Sequence, residues 1–353
     1  MRCTLLIPHL WWSKGAGEDA YRDLRLPHLR RFMARARRRT FPAIGWEAWL
    51  CQAFEVERQA DWPIAPFTLM VDGIDPGEAF WLRADPVHLR PHRDQLLLAD
   101  SSVLQLSNDE AAALVAALNA HFAQEHLQFM APRADRWYLR LERDPGIRTR
   151  TLDEAAGGFV DGCLPAGASA MRWHRVLNEA QMLLHADPVN EAREVRGALP
   201  ANGVWLWGGG YRAAVPGHHF FGVAADEPLA IALAASADIA SEPLPAEVGS
   251  WLGSHAKTTA GHLLAVLDSL TIASRRGDLD AWRTALETLD ARWIGPLMHA
   301  LKRGPLSECA LVAPGSAGCQ RFELSRAGLY RVWRRSRSVA HYLARAAAST
   351  CAP

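Results

Sequence analysis

The sequence predicts an α/β chain: a mostly parallel sheet flanked by helices, interrupted by a smaller inserted α+β module. Three observations carry this expectation. Short, wholly apolar runs such as CTLLI, LLAVL and CALVA are the form that strands take when both sheet faces are covered. In the second half of the chain these runs alternate with amphipathic segments, the rhythm of strands joined by helices. Between residues 76 and 165 the style changes to alternating, hairpin-like strands around one capped helix. The length, 353 residues, suits two domains, expected as a core of residues 1–75 and 166–353 with 76–165 inserted.

The elements follow in order. CTLLIPHL reads as a buried first strand, ended by Pro8. Residues 21–39 read as a helix with a basic face of Arg30, Arg31, Arg35, Arg37, Arg38 and Arg39. FTLMV, residues 67–71, reads as a short apolar strand before the turn-rich DGIDPG. FWLRADPVHL and DQLLLAD read as strands paired across the polar turn RPHRD. Ser107 and Glu110 form an S-x-x-E capping box, and Leu114, Val115, Leu118 and Phe122 follow at helical spacing. RWYLRLE alternates as a strand, and the glycine-rich DEAAGGFVDGCLPAGAS leads back to the core. Helices are expected at 172–184 and 229–235, and strands at 204–207, 263–270 and 309–314. Asp278 caps a long helix with Leu279, Trp282, Leu286, Leu289 and Trp293 on one face; Pro296 disturbs it and Gly304 ends it.

Composition narrows the function classes. A formal net charge of +1 advertises neither nucleic acid nor an acidic surface. The 14 tryptophans, against 5 tyrosines, are expected to fill the interior. No two of the six cysteines stand in C-x-x-C spacing, so reduced thiols in a cytoplasmic protein are expected. The N-terminal apolar run is too short for a signal peptide, and no run is long enough to span a membrane.

Individual motifs carry little chemistry. In VWLWGGG a strand runs into glycines, which can let backbone amides approach a phosphate. Neither G-x-G-x-x-G nor G-K-[ST] is present, and YRAAVPG follows, so a tight turn at a sheet edge is the expectation. His88, His92 and Asp94 could share a metal, but Pro91 stands between the histidines and a hairpin turn is favoured. His218 and His219 sit in a loop, and RVWRRSR, residues 331–337, reads as a solvated basic helix. No G-x-S-x-G and no zincin spacing occur.

The stretch LLHADPVNEAREVRGALPANGVWLWGGG resembles the archaeal-type, cofactor-independent phosphoglycerate mutases. The matching residues are Asn190, Arg193, Pro200, Ala201, Asn202, Trp205, Trp207, Gly208 and Gly210. LPHLRRFMARA, LSNDEAAALVAAL and RRGDLDAWRTALETLDARWIGPLM echo other parts of that family in the same order. The resemblance implies an alkaline-phosphatase-like core with an inserted domain. It also implies two divalent metals and a Ser or Thr nucleophile, with metal lowering the nucleophile's pKa. Here the sequence departs. The first strand ends Ile7-Pro8-His9-Leu10 instead of Asp-Gly, and Pro42-Ala43-Ile44 replaces P-G-S. Thr271 and Arg275 stand at an Asp and a His ligand position, and Ala313-Pro314-Gly315 replaces Asp-His. A guanidinium cannot coordinate a cation.

ADPVHLRPHRDQLLL and LPANGVWLWGGG also resemble the RpfE-type regulatory proteins, a diverged branch of the mutases. That resemblance implies a regulatory role. The altered ligand positions lead to the expectation of a non-catalytic protein, without cofactor or metal, acting by binding an unidentified protein partner or small anion. The expected anion- or ligand-binding residues are Arg193, Asn202, Gly208, Gly209, Gly210, Arg275 and Arg276. A first alternative is an active mutase or phosphohydrolase with displaced ligands, drawn from His88, His92, Asp94, Asp268 and Asp278. A second is a nucleic-acid-associated protein using the two arginine-rich helices, although a nucleic-acid partner is not the expectation, and neither is a membrane.

Overall fold

The computed structural model describes residues 1–15, 17–217, 220–255 and 261–343. Its strands are β1 (Arg2–Leu6), β2 (Arg37–Phe41), β3 (Phe80–His92), β4 (Gln95–Ala99), β5 (Gln128–Arg133), β6 (Arg136–Leu141), β7 (Gly203–Gly210), β8 (Gly222–Ala224), β9 (Ala240–Glu242), β10 (His262–Val266), β11 (Glu308–Ala313) and β12 (Cys319–Ser325). They form two sheets in two compact units, residues 1–55 with 215–353, and residues 56–214.

The first unit holds a seven-stranded sheet in the order β2-β12-β11-β1-β10-β8-β9. The stretch from β11 to β9 is parallel; β12 and β2 add an antiparallel edge. The expectation of a mixed α/β sheet, mostly parallel, therefore holds. Leu5, Leu263, Leu311 and Phe322 are fully buried beneath helices that contribute Phe32, Trp282, Leu286 and Leu301. Asp278 caps the helix Leu279–Leu289 by accepting from the Ala281 amide at 3.0 Å. That helix passes through a π-turn, Asp290–Ile294, into the helix Gly295–Arg303. Pro296 lacks an amide hydrogen, and a widened turn just ahead of it absorbs the missing bond.

The second unit is a five-stranded antiparallel sheet, β4-β3-β6-β5, with β7 paired to β3. Its helix Asn108–His121 starts with the expected box: the Ser107 hydroxyl accepts from the Glu110 amide, and the Glu110 carboxylate accepts from the Ser107 amide at 2.8 Å. This helix and the helix Ala170–His185 bury Leu114, Leu118, Trp173 and Leu184 against Phe80, Leu82 and Trp137. The other face packs Trp81 and Tyr138 on Ala65 and Leu69.

Several expectations change. The units divide at 55/56 and 214/215, not at 75/76 and 165/166. The cause is β7: a fully buried run has no face preference, and this one joins β3 rather than the parallel sheet. Residues 67–71 belong to a helix, Ile64–Val71, whose all-apolar surface hides its period. The first helix ends at Arg35, and Arg37–Phe41 is the edge strand β2. Residues 331–337 are not helical. The strand expected at 263–270 stops at Val266.

Candidate functional site at the carboxyl ends of the parallel strands

In an open α/β sheet the strand carboxyl ends are where ligands bind. In the first unit the ends of β1 and β11 are lined by aromatic rings. Beyond β1 the chain runs Ile7-Pro8-His9-Leu10-Trp11-Trp12, with His9 at φ 56° turning it back. Trp11 lies against the end of β11, and its Nε1–H donates to the Ala313 carbonyl at 3.2 Å. A side chain at Gly315 would come within 2.9 Å of that indole, so the loop after β11 needs its glycine for this close approach. The indole of Trp282 donates to the His9 carbonyl at 2.9 Å. Trp12 and Tyr21 both pack on Trp282, with ring centroids 5.3 and 5.4 Å away. The Tyr21 hydroxyl accepts from the Trp12 amide at 2.7 Å and donates to the Leu10 carbonyl at 3.3 Å. Burial raises the Tyr21 phenol far above its ordinary range, so it stays neutral.

The remaining polar groups are sparse. Asp226 and Asp268 each follow their strand, β8 and β10, by two residues. Burial and the neighbouring Asp226 charge raise the Asp268 carboxyl, while the Arg275 charge opposes them. Asp226 accepts from the Leu244 amide at 3.1 Å, and Glu227 caps the helix Pro228–Ser236 through Ala230 at 2.8 Å. Thr271 and Arg275 sit in the six-residue helix Thr271–Arg276. The helix Trp46–Ala53, which follows Pro42-Ala43-Ile44, begins on Gly45 and Trp46, so no hydroxyl residue opens it.

This donor set does not fit the two divalent metals that the resemblance implies. A pair of hard cations needs several carboxylates or imidazoles converging on each ion. Among the described residues no three His, Cys, Asp or Glu side chains cluster in that way. Arg275 brings a positive charge to Asp268 instead. His218 and His219 lie outside the described residues.

The sequence-predicted site residues divide between the units. Arg193, Asn202 and Gly208–Gly210 belong to the second unit; Arg275 and Arg276 belong to the first. Arg193 is 1% exposed, and its donors are taken by the Leu199 carbonyl, the Leu104 carbonyl and the Glu110 carboxylate. Asn202 bonds both the amide and the carbonyl of Leu89, at 2.7 and 2.9 Å, as another strand would. Asn190 bonds both backbone groups of Ala201. These residues clamp the segment that leads into β7. The glycines of VWLWGGG serve packing: a Cβ at Gly209 would meet Leu82 at 2.7 Å, and one at Gly210 would meet Pro63 at 2.5 Å. The stretch is a buried strand paired with β3, not a turn. His88 and His92 lie on β3 and Asp94 in its hairpin turn, apart in sequence unit from Asp268 and Asp278.

A polar network that sequence reasoning missed lies inside the second sheet. Asp85 is fully buried and accepts from Arg83 Nε at 3.1 Å and Nη2 at 2.6 Å, and from the Trp207 indole at 2.7 Å. The Trp137 amide adds a fourth donor at 3.2 Å. The Arg83 guanidinium lies over the rings of Trp207 and Tyr138, at 5.0 and 5.3 Å. The Tyr138 hydroxyl donates to Asp72, which also binds Arg136. The only signal available was the placing of Arg83 and Asp85 at i and i+2 in the buried first half of β3.

The sequence matches no protein-family model. It is 25% identical over 248 residues to a probable 2,3-bisphosphoglycerate-independent phosphoglycerate mutase of Geobacter sulfurreducens, covering 65% of this chain and 62% of that protein. It is 28% identical over 172 residues to a 2,3-bisphosphoglycerate-independent phosphoglycerate mutase of Methanothrix thermoacetophila, covering 45% and 44%. The chain thus spans between two fifths and two thirds of the length of these curated relatives. In structure it is similar to the PH0037 protein from Pyrococcus horikoshii, with a TM-score of 0.54 at 11% identity over 92% of this chain and 87% of that one. Likeness at that identity shows the fold alone. Among the described residues no helix is long and apolar enough to cross a membrane.

Proposed function

We propose that this chain is a non-catalytic regulatory protein of the RpfE type on a phosphoglycerate-mutase-like scaffold, acting by binding a partner protein or a small anion. The observation that carries this reading is the cluster of Trp11, Trp12, Tyr21 and Trp282 at the carboxyl ends of β1 and β11, each bonded or stacked in place. Phosphoryl transfer needs an open, polar, water-excluding pocket at that point, with a nucleophile and charge-neutralising groups converging on it. Thr271 and Arg275 at expected ligand positions support the same reading. The anion contact is placed on Arg275 and Arg276, whose positive charges stand in the last turn of the helix Thr271–Arg276.

The test is metal content and turnover together. Purified protein is assayed by elemental analysis before and after manganese or zinc is added, then for interconversion of phosphoglycerates and for phosphatase activity. The expected result is no stoichiometric metal and no turnover, with a thermal shift on adding phosphate that Arg275→Ala removes. Two metal equivalents with turnover would overturn the proposal.

A further inference from the structure

The two arginine-rich stretches, distant in sequence, meet on one surface of the first unit. Arg30 Nε donates to the Arg337 carbonyl at 3.2 Å, and Arg35 Nη1 to the Leu329 carbonyl at 2.8 Å. Arg331 and Arg334 reach back to the carbonyls of Arg35 and Ala36, at 3.3 and 3.0 Å, capping the end of the helix Pro27–Arg35. The edge strand β2 adds Arg37 and Arg39 on its exposed positions. Neither stretch carries a carboxylate: none occurs from Leu24 to Trp46, nor from Leu324 to Leu343. Glu323 is engaged by Arg39 and Arg321, and among the described residues no carboxylate pairs with Arg30, Arg31, Arg37 or Arg335. Burial raises the Tyr342 phenol, and the charges of Arg337, Arg38, Arg334 and Arg30 act against it.

In the middle of this charge stands Trp333, 74% exposed, flanked by Val332 and Tyr330 at 70% and 62%. It is the one exposed tryptophan among the described residues; every other is buried or half-buried. Leaving an indole in water forgoes the burial that drives folding. Guanidiniums concentrated where neither stretch carries a carboxylate cost folding energy by mutual repulsion. Both costs fall on one segment, and both are relieved by a ligand that is polyanionic and has flat π faces. Phosphates match the arginine fork, and bases stack on exposed aromatic rings.

We propose that the surface formed by Arg30, Arg37, Arg334, Arg335, Arg337 and Trp333 binds single-stranded nucleic acid. This does not rest on the loss of catalysis proposed above. A lipid bilayer is the weaker match, because the patch has few aliphatic side chains to insert and the apolar face of its helix Pro27–Arg35 is buried in the core.

The test uses the full chain and a fluorescein-labelled 20-nucleotide oligothymidylate, followed by anisotropy and by quenching of tryptophan emission. Binding is expected in low salt, with log K falling against log salt at a slope of about −2 or steeper. Trp333→Ala should weaken it about ten-fold or more and remove the quenching. Arg335→Ala should weaken it and flatten the salt slope, while Arg133→Ala in the other unit leaves both unchanged. The altered residues are exposed, and circular dichroism checks that each variant is folded. Three results would overturn the proposal: no anisotropy change in low salt, binding indifferent to both substitutions, or capture by phosphatidylserine vesicles without oligonucleotide binding.

Discussion

The strand ends of the first unit and the sheet interior of the second solve the same problem in opposite ways. Each is a buried place where polar groups must be satisfied. At the strand ends the chain uses large apolar rings and meets the stray carbonyls of His9 and Ala313 with indole N–H groups. In the second sheet it buries a full charge pair and surrounds Asp85 with Arg83, Trp207 and the Trp137 amide. The lesson is that a buried charge does not by itself mark a reactive site. Asp85 accepts from so many donors that no lone pair is left for a substrate, whereas the ends of β1 and β11 are lined by indole and phenol rings that bond backbone carbonyls.

The sharpest way to break this contrast is Asp85→Ala. It leaves the Arg83 guanidinium buried without its partner, at an expected cost of about 3–5 kcal/mol in urea unfolding. Replacing both members, Arg83→Met with Asp85→Leu, should recover most of that loss; a double variant as weak as the single one would mean the pair also fixes the sheet. Trp282→Phe tests the other region. It keeps a ring but removes the donor to the His9 carbonyl, and about 1–2 kcal/mol should be lost. A neutral result would show that packing alone closes the strand ends.

Acid separates the units further. His262, on β10 and bonded to Thr4 at 2.8 Å, is lowered from 6.5 to about 4 by burial and by the charges of Arg2 and Arg321. The folded state therefore resists its protonation. Its contribution is complete above pH 6.5 and is lost as pH falls toward 4. For Glu110, burial pushes the carboxyl up, but the Ser107 amide and the guanidiniums of Arg196 and Arg193 outweigh it and hold it at about 2. That contribution stands above pH 4.5 and fades toward 2. Stability measured against pH should accordingly lose its upper acid step in His262→Asn and its lower one in Glu110→Gln. The smallest expected effect is Ser107→Ala, which removes one cap bond and about 1 kcal/mol; a much larger loss would show that the capping box also holds Glu110 in place for Arg193.

Much of the architecture was legible in local chemistry. The Ser107–Glu110 box, the Asp278 cap and the apolar runs of β1, β10 and β11 are written within a few residues each, because caps and strand cores depend on neighbours in sequence. The helix Ile64–Val71 was not legible, since an element apolar all round carries no period to read. The fate of the expected ligand residues was not legible either. Arg193, Asn202 and the β7 glycines have the residue types of an anion site, and only their long-range partners reveal them as clamps and close-packing positions.

What the sequence by itself determined was the α/β class, the caps and the likeness to phosphoglycerate mutases. Tertiary structure decided the rest: that β7 joins β3, that four aromatic rings gather at the ends of β1 and β11, and that two arginine stretches some three hundred residues apart form one surface. The reason is physical. Propensity and periodicity act over a turn or two of chain, whereas partner choice for a buried strand, an indole N–H or a guanidinium is settled by whatever distant group the fold brings within bonding distance.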